Sequence, residues 1–215
     1  MGGVKLAAAL MFGAAVALAQ NEAAVRVVDG LEYVWIAPGT FPMGCGEGDA
    51  ECFAWEPPAR EVSVQGFWIG RTEVTTEAYS GEGGNLPATN LSWHDAKRYC
   101  ASVGMRLPTE AEWEFAAKAG GAVDDVAWYD GNSDDHVHEV AQKNANPNGL
   151  HDTLGNVWEW IEDAYEKDPA KRLLKGGSFY NVARDLRPSN RLWAAPETAH
   201  RNMGFRCAGS DLARP

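Results

Sequence analysis

Arg106-Leu107-Pro108-Thr109-Glu110-Ala111-Glu112-Trp113-Glu114 is the stretch on which the architecture turns. Thr109 with Glu112 three places on is a T-x-x-E capping box. The hydroxyl takes a first-turn amide and the carboxylate reaches back to the cap's own N–H. A helix is predicted from Thr109 to the Gly120-Gly121 break. Glu110, Glu112 and Glu114 crowd its start, where acidic side chains favour the helix dipole. They read as scaffold rather than as a glycosidase carboxylate pair, and Trp113 reads as a packing residue. Just upstream, Ser92 followed by Asp95 makes an approximate capping box. Trp93, Ala96, Tyr99, Cys100 and Val103 recur at helical spacing until Gly104 stops them.

Outward from these helices the signals are β and turn. Val25 to Val28 and Leu31 to Ile36 flank Asp29-Gly30, a hairpin signal. Phe41 to Pro58 is expected as loop, and Glu61 to Arg71 resumes β character. Beyond residue 121 the chain reads mostly as turns, with short β candidates at Arg172 to Lys175 and Gly204 to Ala208. No internal repeat or low-complexity linker is evident. The expectation is an α+β, loop-rich fold with two short helices and a small antiparallel sheet.

A chain of 215 residues suffices for one sizeable domain. Nine Trp and 23 Gly point to aromatic anchors and tight turns rather than long helices. The net charge of -11, without a Lys/Arg run, argues against a nucleic-acid partner and leaves carboxylates for a hard cation. Residues 1–19 carry Lys5, an apolar run from Leu6 to Leu18 and small residues at Ala17-Leu18-Ala19. They read as a signal peptide cleaved before Gln20, with an uncleaved anchor as the alternative. The rest, residues 20–215, is then one domain, periplasmic or secreted, with no membrane span after cleavage.

Cys45, Cys52, Cys100 and Cys207 form an even set, which in an exported chain reads as two disulfides with three pairings open. Cys45 and Cys52 suit a local clamp in a Gly-rich segment. Cys100 and Cys207 would then tie a helix to the final strand.

Taken in order, several segments resemble one family: Phe41-Pro42-Met43-Gly44, Phe67 to Thr75, Pro87 to Trp93, Arg106 to Glu114, Asn148-Gly149-Leu150, Gly155-Asn156-Val157-Trp158-Glu159-Trp160, Gly176-Gly177-Ser178 and Gly204-Phe205-Arg206-Cys207. Over roughly residues 30–209 the chain resembles the formylglycine-generating enzyme, or sulfatase-modifying factor, family. The resemblance implies a variant of the C-type-lectin-like fold and a Cys100–Cys207 bridge.

It also poses a chemical question. Family oxidases hold copper(I) between two thiolates placed shortly after Gly-Gly-Ser, and a soft monovalent ion demands sulfur. Asn181 and Leu186 stand at those two positions here, so copper is not expected. Ser178 and Asn202 match positions lining the family's substrate cleft, with Arg187 and Trp193 expected on or beneath that surface. The alternative is structural: Ser178 and Asn202 cap turns, and the arginines pair with carboxylates.

His151 to Glu159 is the better metal candidate, because a tight Gly-containing loop with two acids suits calcium. The resemblance implies ligands Asp152, the carbonyls of Gly155 and Val157, and Glu159. His136 and His138 lack a third ligand at fixed spacing and read as a solvated acidic loop. The leading expectation is an exported non-oxidase, a calcium-supported binding or accessory scaffold for a peptide, protein or glycan. A maturation enzyme, for formylglycine generation or siderophore maturation, and a retroelement-diversified receptor are the alternatives.

Overall fold

The computed structural model describes residues 24–117 and 121–210; the predicted signal peptide lies outside the described residues. Strands β1 (Val25–Val28) and β2 (Leu31–Ile36) form the expected hairpin, with Asp29 and Gly30 both at positive φ, as a two-residue primed turn requires. β3 (Gly39–Met43) and β4 (Arg60–Val64) pair with each other. β5 (Phe67–Gly70) lies antiparallel to β2 and, on its other edge, to β10 (Ala208–Gly209). The first sheet is therefore ordered β1-β2-β5-β10.

The run Phe67-Trp68-Ile69 is apolar throughout because both faces of this sheet are covered. Tyr33 and Trp68 face one core with Trp93, Tyr99 and Phe205. Val34, Ile36, Phe67 and Ile69 face another with Phe41 and Ala116. Among the described residues the helices are α1 (Thr76–Ser80), α2 (Trp93–Ser102), α3 (Glu110–Ala117) and α4 (Val123–Val126). The two predicted helices are the longer pair. Both caps form: Ser92 with Asp95 reciprocally, and Thr109 Oγ1 with the Glu112 N–H while Glu112 Oε2 receives the Thr109 N–H.

A second four-stranded sheet is ordered β8-β7-β6-β9, from β6 (Trp158–Tyr165), β7 (Asp168–Lys175), β8 (Leu192–Ala194) and β9 (Met203–Gly204). The expected antiparallel sheet is β1-β2-β5-β10, antiparallel at every pair, while the second sheet adds one parallel pair, β6–β9. Two expectations are corrected. Phe41 to Met43 is strand, not loop, because its alternating side chains Phe41 and Met43 enter the core. Glu61 to Arg71 is two strands in separate sheets, broken at Gln65-Gly66.

Disulfides join Cys45 to Cys52 and Cys100 to Cys207. The second ties α2 to the segment preceding β10 across 107 residues of sequence, worth about 4–5 kcal/mol in the chain-entropy picture. The acids of the quoted stretch serve the scaffold. Glu112 forks onto Arg106 at 2.6 and 2.7 Å, and Glu114 receives the Gly44 N–H at 2.7 Å and the buried Lys175 ammonium at 3.1 Å. No helix among the described residues is long and apolar enough to cross a membrane.

Candidate functional site

The segment after β7 turns twice through glycine. Gly177 has φ +78°, and a Cβ there would meet Leu186 Cδ2 at 2.3 Å. This close approach buries Leu186, which packs with Val126 and Ala127. Ser178 follows, fully buried, and its Oγ donates to Asn181 Oδ1 at 2.6 Å while receiving Asn202 Nδ2 at 3.3 Å. Asn181 Oδ1 also receives the Trp158 indole N–H at 3.0 Å, and Asn181 Nδ2 donates to Asp185 at 3.0 Å. Asn181 is thus fixed by a network running from β6 to the 3₁₀ turn Ala183–Leu186.

A surface pocket of about 320 Å³ opens over this network, lined in part by Trp158, Tyr180, Asn181, His200 and Asn202. It offers aromatic walls and amide groups, a composition for binding rather than soft-metal chemistry. The two positions that would need thiolates carry an amide in a complete hydrogen-bond network and a buried aliphatic side chain, and neither grips copper(I). All four cysteines are in disulfides.

Of the four predicted ligand-binding residues, Ser178 and Asn202 meet here and two lie elsewhere. Arg187 braces the Cys45–Cys52 loop, donating to Glu56 Oε1 and Asp49 Oδ2 at 3.1 Å and to the Glu51 carbonyl. Trp193 stacks on Tyr165 at 4.3 Å between centroids and meets Trp55 edge-on at 6.2 Å. Trp158, Tyr180 and His200 are pocket residues that sequence reasoning did not single out. Trp158 was legible as part of the Gly155–Trp160 block, but Tyr180 and His200 carry no local signal.

The loop leading into β6 is tightly coiled: Asp152, Gly155 and Asn156 all have positive φ. Gly155 is obligatory, since a Cβ would stand 2.0 Å from the Trp128 carbonyl oxygen. Asp152 is 2% exposed; its Oδ2 receives the Ala141 N–H at 2.7 Å, and its Oδ1 has no partner. Glu73, completely buried just beyond β5, receives Asn156 Nδ2 on Oε1 at 3.2 Å and has no partner for Oε2. Both Glu159 oxygens have partners, two donors on Oε2 and one on Oε1. Arg206 forks onto it at 2.6 and 2.7 Å, and the Trp113 indole donates to Oε2 at 2.7 Å.

Three buried carboxylates therefore face one guanidinium. Burial first, and then the Asp152 charge, push the Glu73 carboxyl well above its ordinary range. Burial is also the main reason that the Asp152 carboxyl is raised. A donor set made only of oxygen, with an orphaned buried carboxylate oxygen at Asp152, fits a hard cation such as calcium. His138, by contrast, stacks on Trp128 at 3.7 Å between centroids and faces the Ser133 carbonyl. Among the described residues, the cluster with three potential ligand atoms is Cys45, Asp49 and Cys52, whose sulfurs are bonded to each other.

The layered sheets, two disulfides and loop-built pocket define an α+β protein of the C-type-lectin-like class. The chain belongs to the family of the sulfatase-modifying factor enzyme 1-like domain, which it matches over residues 19–82 and 80–210. It is 37% identical over 159 residues to a protein of Bos taurus named inactive C-alpha-formylglycine-generating enzyme 2, covering 60% of this chain and 52% of that one. It is 34% identical over 194 residues to the formylglycine-generating enzyme of Streptomyces coelicolor, covering 68% of this chain and 60% of that one. The chain thus spans about half to three fifths of these relatives' length. Its fold superposes on PvdO from Pseudomonas aeruginosa with a TM-score of 0.78 at 23% identity, covering 87% of this chain and 98% of that one. The Treponema denticola variable protein 1 superposes with a TM-score of 0.72 at 24% identity, covering 86% and 98%.

Proposed function

We propose that this protein is an exported, non-oxidase member of its family, a disulfide-clamped and calcium-supported scaffold that binds a peptide, protein or glycan at the Ser178–Asn202 pocket. One observation carries the reading. The two places where copper(I) needs thiolates hold Asn181, locked by Trp158, Ser178 and Asp185, and the buried Leu186. Similarity to a relative named inactive supports it. Calcium would be held by Asp152, the carbonyls of Gly155 and Val157, and a remaining lone pair of Glu159, cross-linking the loop to β6. It would supply structural charge, not a reaction step.

Incubating the protein with a Cys-x-Pro-x-Arg peptide, oxygen and copper(I) tests the first half: an aldehyde product would overturn the non-oxidase reading. Probing peptide and glycan arrays with wild type and Asn202→Ala tests the second, since identical binding profiles would remove the pocket. A second reading, a protein-maturation enzyme of the sulfatase-modifying-factor type, is favoured by the Ser178–Asn202 hydrogen bond beneath the pocket and by the 34% identity to a formylglycine-generating enzyme.

A further inference from the structure

The hydrogen bonds beneath the pocket leave each proton only one place. An indole N–H can only donate and a carboxylate can only accept, so these two ends fix the groups between them. Trp158 donates to Asn181 Oδ1 at 3.0 Å, and Asn181 Nδ2 donates to Asp185 at 3.0 Å, which sets the orientation of the Asn181 carboxamide. Ser178 must then give its proton to Asn181 Oδ1, at 2.6 Å, and accept from Asn202 Nδ2, at 3.3 Å. That turns Asn202 Oδ1 toward His200 Nδ1, and an oxygen acceptor there requires the proton on Nδ1. In neutral His200 the other nitrogen, Nε2, is consequently a lone-pair acceptor. Among the described residues nothing donates to it, the ring is exposed, and His200 lines the pocket.

Tyr180 supplies the complementary group. Burial raises its phenol, against Arg201 and the Asn202 carboxamide, so it stays an O–H donor at neutral pH. Its ring is 40% exposed and lines the same pocket. Hydroxyls both donate and accept, so they suit the His200 acceptor and the Tyr180 donor alike. Among the described residues the pocket lining holds no carboxylate, ammonium or guanidinium. Arg201 and Asp135, whose charges reach Tyr180, are paired with each other at 3.3 Å. A charged ligand group would therefore lose its water without gaining a counter-ion. A peptide backbone would bring N–H and C=O groups, while the carboxamides that could answer them are already committed to the network. A sugar ring brings several hydroxyls on an apolar frame, and Tyr180, Leu192 and Met203 offer apolar contact. The volume of about 320 Å³ lies at the small end of the range for ligand pockets, about 300–1,000 Å³, and suits a short ligand.

We infer that His200 Nε2 is the acceptor by which the pocket selects its ligand, and that this ligand is a neutral sugar ring of a glycan, one hydroxyl of which donates to His200. This rests on the pocket reading above and narrows its ligand to one class.

Two measurements test it. Nitrogen NMR of isotope-labelled protein at mildly alkaline pH, with the His200 imidazole assigned by its loss in His200→Asn, should show a protonated Nδ1 and a bare Nε2. A proton on Nε2 instead would overturn the acceptor role whatever the ligand. Wild type is then screened against arrays of neutral glycans, sialylated glycans and peptides, and should bind neutral glycans. His200→Asn keeps an N–H for Asn202 Oδ1 but has no acceptor where Nε2 was. It should bind the neutral glycan found for wild type at least about tenfold more weakly, with an unchanged Tm. Deoxy analogues of the bound sugar separate contact from structure. The analogue lacking the donated hydroxyl should cost wild type at least about tenfold and His200→Asn less than about twofold further. Equal glycan binding by wild type and His200→Asn, with Asn202→Ala impaired, would remove the His200 role alone. Binding of wild type only to peptides, or only to sialylated glycans, would overturn the neutral-sugar assignment and leave the pocket standing. No binding by wild type on any array would sink the pocket reading and this inference together.

Discussion

Replacing Arg206 by Met removes the positive centre of the interior while keeping most of the side-chain volume. Arg206 is completely buried and donates to Glu159 at 2.6 and 2.7 Å and to the carbonyls of Gly70 and His151 at 3.0 Å. Its loss leaves Glu159 with the Trp113 indole alone, in an interior that already holds Glu73 and Asp152. Breaking a buried pair from one side costs about 3–5 kcal/mol, because the surviving charge stays buried and uncompensated. With a urea m-value of about 2–3 kcal/mol/M for a domain of this size, the unfolding midpoint should fall by about 1–2 M at constant m. Arg98→Ala is the control: Arg98 is 72% exposed in its pair with Asp95, and its removal should change stability by less than about 1 kcal/mol. Both are measured in EDTA under oxidising conditions, so that neither cation binding nor disulfide exchange contributes. If Arg206→Met lost no more than Arg98→Ala, the buried charge cluster would be wrong as described.

Gly155→Ala should destabilise by more than about 2 kcal/mol or prevent folding, since φ is +80° and the new Cβ meets the Trp128 carbonyl; a Tm within 2 °C of wild type would contradict this. Reducing Cys100–Cys207 should remove about 4–5 kcal/mol, and the Cys100→Ser/Cys207→Ser variant should unfold at correspondingly lower urea. Glu112 supplies a pH signature. Burial alone would raise its carboxyl, but hydrogen bonds from Arg106 and Thr109 and the Arg106 charge outweigh burial and hold it below the ordinary 4.5. A depressed folded value gives stability that is fully present above the unfolded value and lost as pH falls through the folded one. Glu112→Gln should therefore destabilise at neutral pH and flatten the acid limb below about pH 4.5, read from Tm against pH.

The helices were legible in the sequence because their information is local. Ser92 with Asp95 and Thr109 with Glu112 specify their own starts, and apolar spacing specifies the buried face. The β1–β2 hairpin was legible for the same reason, through Asp29-Gly30. β6 was not, because Trp158-Glu159-Trp160 carries a carboxylate that becomes buried only when Arg206 arrives from 47 residues away. β3 was hidden by Pro42, which occupies a strand whose register with β4 places it opposite Glu61. Gly-Gly-Ser announced the site segment, and Asn181 and Leu186 could be placed from its spacing. That Arg187 turns to the disulfide loop, and that Tyr180 and His200 wall the pocket, depends on tertiary placement that no neighbouring residue encodes. Glu73 was visible only as part of a family-like strand end, since a missing partner is a property of the folded interior.

The absence of a sulfur pair beneath the pocket is tested most directly by metal stoichiometry. Fully oxidised protein is loaded with copper(I) in the presence of a competing chromophoric chelator, desalted and analysed for copper per chain. The account predicts no retained copper, because Asn181 and Leu186 offer no soft ligand and every cysteine is paired. One tightly held copper(I) per chain, lost in an Asn181→Ala variant, would contradict it.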